Sequence, residues 1–230
     1  MFRSNFSAFF GRFGSGRRSG IGLSTVFGAA VLFVSALTAH AQFTPPSPGT
    51  PVHDPAALRP PPGARVAIVE FEDMECPDCA RANPLLKEAT AKYKIPWVRH
   101  DFPLPFHNWS FKAAVNARWF DLKSKALGDE YRDAVFANQT SITTPEILLD
   151  FTTKFAQSKG IALPFALDPQ GNLTAEVKAD YALGQRIGIE HTPTIWVVTA
   201  SSKGAPFVEV VDRTKLYQLI DQAIADTHGR

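Results

Sequence analysis

Two residues of this chain, Cys76 and Cys79, are the best equipped to do chemistry, and they are its only cysteines among 230 residues. Pro77 and Asp78 separate them, so a single intramolecular disulfide can form, between Cys76 and Cys79. A thiolate, rather than a thiol, attacks disulfides and binds metals. The pair is therefore compatible with a redox-active dithiol, with part of a zinc site, or with a structural bridge.

The rest of the sequence favours the redox role. A zinc site takes about four ligands, and neither a second Cys-x-x-Cys pair nor a His-x-x-x-His pair occurs. A structural bridge that closes so short a loop constrains the unfolded chain very little. We therefore predict that the redox-active disulfide Cys76–Cys79 is the working group, with no cofactor and no metal.

The elements around the pair predict different roles for the two thiols. The apolar run 66–69 is typical of a buried strand, and a helix is predicted from Pro77 to about Tyr93, because proline is favoured at the first helical position. Cys76 then lies at the helix N-terminus, where free N–H groups and the helix dipole favour negative charge. Cys76 is the predicted nucleophile, and Cys79, one turn later, is the predicted resolving thiol.

The remaining chain alternates in a way that predicts an α/β protein. Residues 95–100 have the pattern of a second strand, and the segments 194–198 and 207–211 have that of a hairpin. Asp212 is predicted to cap a last helix. Further helices are predicted over 109–127, 129–137, 145–159 and 174–187. The predicted order is therefore a βαβ unit, a helical insert and a ββα unit.

Three motifs resemble the DsbA-like thioredoxin family. The first is the segment Phe71–Cys79 with Pro84–Lys87 after it, and the second is Phe102-Pro103-Leu104-Pro105 followed by His107. The third is Gly188–Thr194, just before a predicted strand. The resemblance covers about residues 65–225. It implies a thioredoxin-like fold over residues 65–226, with a helical insert at about 103–190.

The resemblance also implies roles for three residues outside the dithiol. Pro193 matches the family's cis-proline beside the dithiol, and Thr192 matches the residue that contacts the first sulfur. Glu70 matches a buried acid that could relay a proton to or from Cys79. The alternatives are an ordinary trans proline at Pro193 and a solvated acid at the end of a strand at Glu70.

Asp78 is a departure from the strongly oxidising members of that family, which place a histidine there. A negative charge raises the pKa of a neighbouring acid, so Asp78 is predicted to raise the pKa of Cys76. More negative charge comes from Glu72, Asp73 and Glu75. A less stable thiolate makes a weaker oxidant, and we predict a moderate potential. His191, if protonated, would offset this; a plain surface histidine is the alternative.

The first 41 residues have the pattern of a secretory signal peptide. They contain four arginines and no acidic residue, with an apolar run over about 21–39 and then Ala39-His40-Ala41. An uncleaved membrane anchor is the alternative. Cleavage after Ala41 would place the protein in the periplasm or outside the cell. It would also lower the formal net charge from +2 to −2, which argues against a nucleic-acid partner.

A proline-rich segment, residues 42–64, follows the predicted signal peptide. Its prolines disfavour helix and central strand and favour extended chain. The segment is predicted to be a spacer, and an N-terminal arm docked on the domain is the alternative.

The combined prediction is an exported, monomeric thiol:disulfide oxidoreductase that forms disulfides in folding proteins. A membrane quinone-linked partner would reoxidise it. One alternative is the same chemistry in reverse, as a reductase or isomerase. Another is a thioredoxin-like binding module or chaperone in which the dithiol is incidental.

Overall fold

The computed structural model describes residues 49–201 and 204–228, so the signal peptide predicted over residues 1–41 lies outside the described residues. The strands are β1 (Val66–Glu72), β2 (Trp97–Asp101), β3 (Thr194–Thr199) and β4 (Phe207–Glu209). The α-helices are α1 (Pro77–Tyr93), α2 (Ser110–Asp121), α3 (Lys125–Asn138), α4 (Pro145–Ser158), α5 (Asn172–Ile187) and α6 (Leu216–His228). The predicted α/β order is confirmed. None of the helices in the described ranges is long and apolar enough to cross a membrane.

The strands form one mixed sheet in the order β2-β1-β3-β4. β1 pairs in parallel with β2 and antiparallel with β3, and β3 pairs antiparallel with β4. Every residue of β1 is buried, because both faces of the sheet are covered. Val66 and Ile68 pack with residues of α1 and α6, whereas Ala67 and Val69 pack with Ile187 of α5.

The insert has its own apolar core, and the dithiol belongs to it. Residues of α2, α3 and α4 form one buried cluster with Cys76 and Cys79. Trp109, Trp119 and Phe120 are buried in this core, whereas the side chain of Phe106 is 76% exposed. The dithiol therefore lies where the sheet meets the insert.

Two predicted boundaries are wrong. The helix predicted over 109–127 ends at Asp121, because Ser124 accepts a hydrogen bond from Leu127 N (3.1 Å) and begins α3 as its N-cap. The last strand ends at Glu209 instead of residue 211. The chain turns there toward Asp212, whose side chain caps a short 3-10 turn, residues 213–215, ahead of α6.

Residues 49–64 of the proline-rich segment pack on the domain as an arm, in contrast to the predicted free spacer. Leu58 is buried in the cluster under β1 and β3. His53 N donates to Ile187 O (2.9 Å), and Thr50 N donates to Glu209 Oε2 (2.5 Å). The docked arm arises because Leu58 finds an apolar site on the domain; residues 42–48 lie outside the described residues.

Candidate active site

The two thiols occupy unequal positions at the start of α1. Cys76 is the N-cap residue in extended conformation and Pro77 is the first helical residue, as predicted. The two sulfurs are not joined by a disulfide in this structure. In its thiol form Cys76 Sγ donates to Thr192 O (3.2 Å), while the Cys79 sulfur accepts from Asp73 N (3.4 Å). Cys79 is fully buried and Cys76 retains slight exposure, so Cys76 is the sulfur that a substrate can reach.

The pKa values of the two thiols are shifted in opposite directions. Hydrogen bonding from the Cys79 side chain lowers the pKa of Cys76 to about 5; burial opposes this shift, and Thr192 and the backbone at Cys79 and Asp78 add to it. Burial, together with Cys76 and the charge of Glu70, raises the pKa of Cys79 well above its ordinary value. Near neutral pH the pair therefore holds one thiolate, on Cys76, and one thiol, on Cys79.

This asymmetry predicts a pH profile for alkylation of the reduced protein. Below a pKa of about 5 the thiolate of Cys76 takes up a proton, so the iodoacetamide rate should fall about tenfold for each further pH unit. Above that pKa the rate should be constant, whereas an ordinary thiol would gain reactivity up to a pKa of about 8.5. Mass spectrometry should locate the label on Cys76, and Cys76→Ser is the control. A rate that rises through pH 8 would contradict the assignment.

The prediction that Asp78 raises the pKa of Cys76 is wrong, because the charge of Asp78 is neutralised. The Asp78 carboxylate accepts hydrogen bonds from Arg213 Nη2 (2.6 Å) and Arg81 Nη2 (3.0 Å). Burial opposes ionisation of Asp78, but the hydrogen bond and charge of Arg213, followed by Arg81, lower its pKa. Arg81 lies three residues after Asp78, so helical spacing alone identifies it as a possible partner. Arg213 is 135 residues away, and no local pattern in the sequence identifies it.

The other three acids near the dithiol also have partners. Glu72 is buried against Arg99, with Nε–O distances of 3.1 Å and an Nη2–Oε2 distance of 2.6 Å. Asp73 accepts from four groups: Glu75 N, Leu104 N, His107 Nδ1 and Ser110 Oγ. Glu75 accepts from the backbone N–H groups of residues 109 and 110 at the start of α2. These acids organise the loops around the dithiol, and His107 serves that structure through Asp73.

Glu70 is buried in β1, and the alternative of a solvated acid is wrong: the residue is 1% exposed. Its Oε2 accepts a hydrogen bond from Trp97 Nε1 (2.9 Å). Burial, and then the negative charge of Glu72, raise the pKa of Glu70 to about 8. Glu70 thus holds a proton at neutral pH. When Glu70 ionises, its charge raises the pKa of Cys79.

The loop before β3 completes the site. The Thr192–Pro193 peptide bond is cis, and the Thr192 carbonyl oxygen faces Cys76 Sγ. Beside Pro193 lies a depression of about 190 Å³, lined also by Asp78, His191 and Arg213. His191 is exposed at its rim. The sequence-predicted residues are thus brought together around one accessible sulfur.

Comparison with known proteins agrees with this fold. A family model described as thioredoxin matches residues 61–209. The fold is similar to that of the thiol-disulfide exchange protein alpha-DsbA2 from Wolbachia pipientis (TM-score 0.57, 20% identity, 71% of this chain and 84% of that chain). It is also similar to ScsC from Proteus mirabilis (0.55, 20%, 72% and 71%) and to a periplasmic thioredoxin-like protein from Salmonella enterica serovar Typhimurium (0.57, 19%, 75% and 92%). Among curated proteins, none matches the sequence significantly.

Proposed function

This chain belongs to the thioredoxin family, and on that premise we propose that it is an exported thiol:disulfide oxidoreductase that donates its Cys76–Cys79 disulfide to folding proteins. The observation that carries the proposal is the asymmetry of the dithiol: Cys76 is the slightly exposed N-cap of α1, and Cys79 is fully buried one turn later. These positions favour a thiolate on Cys76 and a thiol on Cys79. Stabilising the reduced form of a dithiol makes its disulfide a better oxidant. The direction of exchange is therefore toward oxidation of the substrate.

The reaction proceeds in two thiol–disulfide exchanges. A substrate thiolate attacks Cys76 Sγ of the disulfide, which forms a mixed disulfide and releases the Cys79 sulfur with the electron pair of the broken bond. A second substrate thiolate then attacks the substrate sulfur of the mixed disulfide and releases Cys76 as a thiolate. The substrate loses two electrons and gains a disulfide, and the protein gains the dithiol.

Glu70 supplies the proton that the first exchange needs. Cys79 leaves as a thiolate in a buried site that disfavours its charge, so its release is faster if it takes up a proton. Glu70 is protonated up to a pKa of about 8, and its hydrogen bond from Trp97 fixes the carboxyl group. Thr192 and Pro193 present the backbone at which an extended substrate segment would pair beside Cys76.

Glu70→Gln tests this proton transfer while keeping a hydrogen-bond acceptor for Trp97. We expect reduction of the Cys76–Cys79 disulfide by a model thiol to slow by about 10²-fold, the usual size of general acid catalysis. In the parent protein the acid-assisted component should decline above a pH of about 8, where Glu70 ionises, and this inflection should vanish in the variant.

Glu176→Gln, an exposed position on α5, is the matched control and should leave both rate and profile unchanged. Stopped-flow fluorescence gives the rates. An inflection near pH 8 that persists in Glu70→Gln would remove Glu70 from the reaction.

The dithiol must be reoxidised after each cycle, and we assign that step to a membrane quinone-linked partner acting on a monomer. The substrates are unfolded or folding exported proteins, consistent with the signal peptide predicted over residues 1–41. The same predicted signal peptide supports a periplasmic or secreted location.

Two assays distinguish the directions of exchange. The oxidised protein, mixed with a reduced and unfolded multi-cysteine protein, should restore native disulfides and free thiols should appear on Cys76 and Cys79. Catalysed reduction of insulin without such oxidation would assign the protein to the reductases or isomerases. Absence of thiol exchange in both assays would leave a binding module.

A further inference from the structure

Arg213 reaches the active-site turn from the opposite end of the domain sequence. It lies in the short turn ahead of α6, 135 residues after Asp78, and Nη2 contacts Asp78 Oδ1 at 2.6 Å. Its Nη1 also donates to the main-chain carbonyl oxygen of Asp78 (3.1 Å). One guanidinium therefore binds both the charge and the backbone of the residue between the cysteines.

The charged groups around Asp78 come from every neighbouring element. Arg81 approaches from α1 with one contact and a side chain that is two-thirds exposed, whereas Arg213 makes two contacts and is one-third exposed. Glu209 of β4 and His191 line the same depression, but Glu209 binds Thr50 of the arm. Arg213 is thus the more buried of the two cations that face Asp78, and it makes more contacts with that residue.

We propose that Arg213 is a positioning residue of the dithiol: it holds Asp78 and cancels its charge, so that Cys76 can carry a thiolate beside an acidic residue. This inference rests on the proposed oxidoreductase function and adds the group that tunes it. An unpaired Asp78 would repel the thiolate through space, since like charges disfavour ionisation. When Asp78 is paired with Arg213, the net charge of the pair next to Cys76 is close to zero.

The substitutions have a predicted order. Arg213→Gln leaves Asp78 with the exposed Arg81 alone, so the pKa of Cys76 should rise by roughly 0.5, the scale of a partly exposed ion pair. Alkylation of Cys76 at about pH 4.5 should then slow about threefold. Asp78→Asn frees the Arg213 charge and should lower the pKa, and the double variant should return to the parent value. The reduction potential should fall in Arg213→Gln and recover in the double variant.

The experiment measures the thiolate absorbance at 240 nm and the alkylation rate of Cys76 as functions of pH. The reduction potential is measured in glutathione buffers, and all measurements use the chain from residue 42 onward. Arg186→Gln is the control, because it removes an equal charge from α5, where Arg186 is exposed near Asp54. The proposal is supported if Arg213→Gln raises the pKa of Cys76 and Arg186→Gln does not. Adding Asp78→Asn to Arg213→Gln should then restore the parent value.

An unchanged pKa in Arg213→Gln, in a protein that still exchanges disulfides, would overturn the role of Arg213 and leave the proposed function intact. If the pKa of Cys76 rises in Arg213→Gln and adding Asp78→Asn does not reverse the rise, the role of Arg213 would also be overturned. The effect would then be structural. If the parent protein showed no reversible transition between dithiol and disulfide, the proposed function itself would be overturned.

Discussion

Replacing Cys76 with serine should reduce disulfide exchange to the uncatalysed background, whereas replacing Cys79 with serine should yield a protein that accumulates mixed disulfides with its substrates. Cys76 is the only one of the two sulfurs with any exposure, and a serine hydroxyl cannot replace its thiolate as nucleophile. Without Cys79, the enzyme's resolving thiol is missing. Neither variant can form the Cys76–Cys79 disulfide, but only Cys79→Ser keeps the Cys76 thiolate that can remain linked to a substrate.

Non-reducing electrophoresis followed by mass spectrometry measures both outcomes. A reduced multi-cysteine protein, preactivated with a small disulfide, should be captured by Cys79→Ser through Cys76. The double serine variant should capture nothing and controls for noncovalent binding. Capture by Cys76→Ser, through Cys79, would contradict the assignment of the nucleophile.

Removing Arg99 should destabilise the protein more than any surface substitution. Its guanidinium is buried against Glu72, lies 4.2 Å from the centre of the Trp97 ring, and donates from Nη2 to Asn83 Oδ1 (3.1 Å). Arg99→Met leaves Glu72 buried with only a more distant cation, Arg132 Nε at 3.5 Å. Breaking a buried pair from one side costs about 3–5 kcal/mol.

Urea unfolding of the reduced protein measures the change in free energy. Arg186→Met, on the exposed face of α5, should change stability by less than about 0.5 kcal/mol. The double variant Glu72→Gln with Arg99→Met should recover part of the loss, because the uncompensated charge is gone. A loss below about 1 kcal/mol in Arg99→Met would show that Glu72 is not held as a buried carboxylate.

The position of the dithiol was predictable because its signals are local. Pro77 marks the first helical residue, which fixes Cys76 as N-cap and places Cys79 one turn inside. The apolar run of β1 likewise predicts a strand covered on both faces. These inferences need only a few consecutive residues, and the structure agrees with them.

The charge balance was not predictable in the same way, since it depends on contacts between distant parts of the chain. Local spacing offers Asp78 only Arg81 as a partner, and the turn before α6 brings Arg213 to it as well. Glu72 is neutralised by Arg99 because parallel pairing of β1 with β2 brings the strands side by side. Neither contact follows from the sequence separation or from helical periodicity.

The predicted end of the helix over residues 109–127 was wrong for a different reason. The apolar pattern continues through residues 109–127, so periodicity alone predicts one helix. The side chain of Ser124 ends that continuity by capping a new helix. A serine at that position was a readable signal, but the apolar repeat outweighed it.

The reduction potential of the Cys76–Cys79 pair, measured in glutathione buffers on the chain from residue 42 onward, is the most direct test of whether this protein donates disulfides. We predict a reversible two-electron transition at a potential above about −270 mV, the value of a reductant thioredoxin, and its loss in Cys76→Ser. A potential at or below that value, or no reversible transition, would contradict the assignment of the protein as a dithiol oxidase.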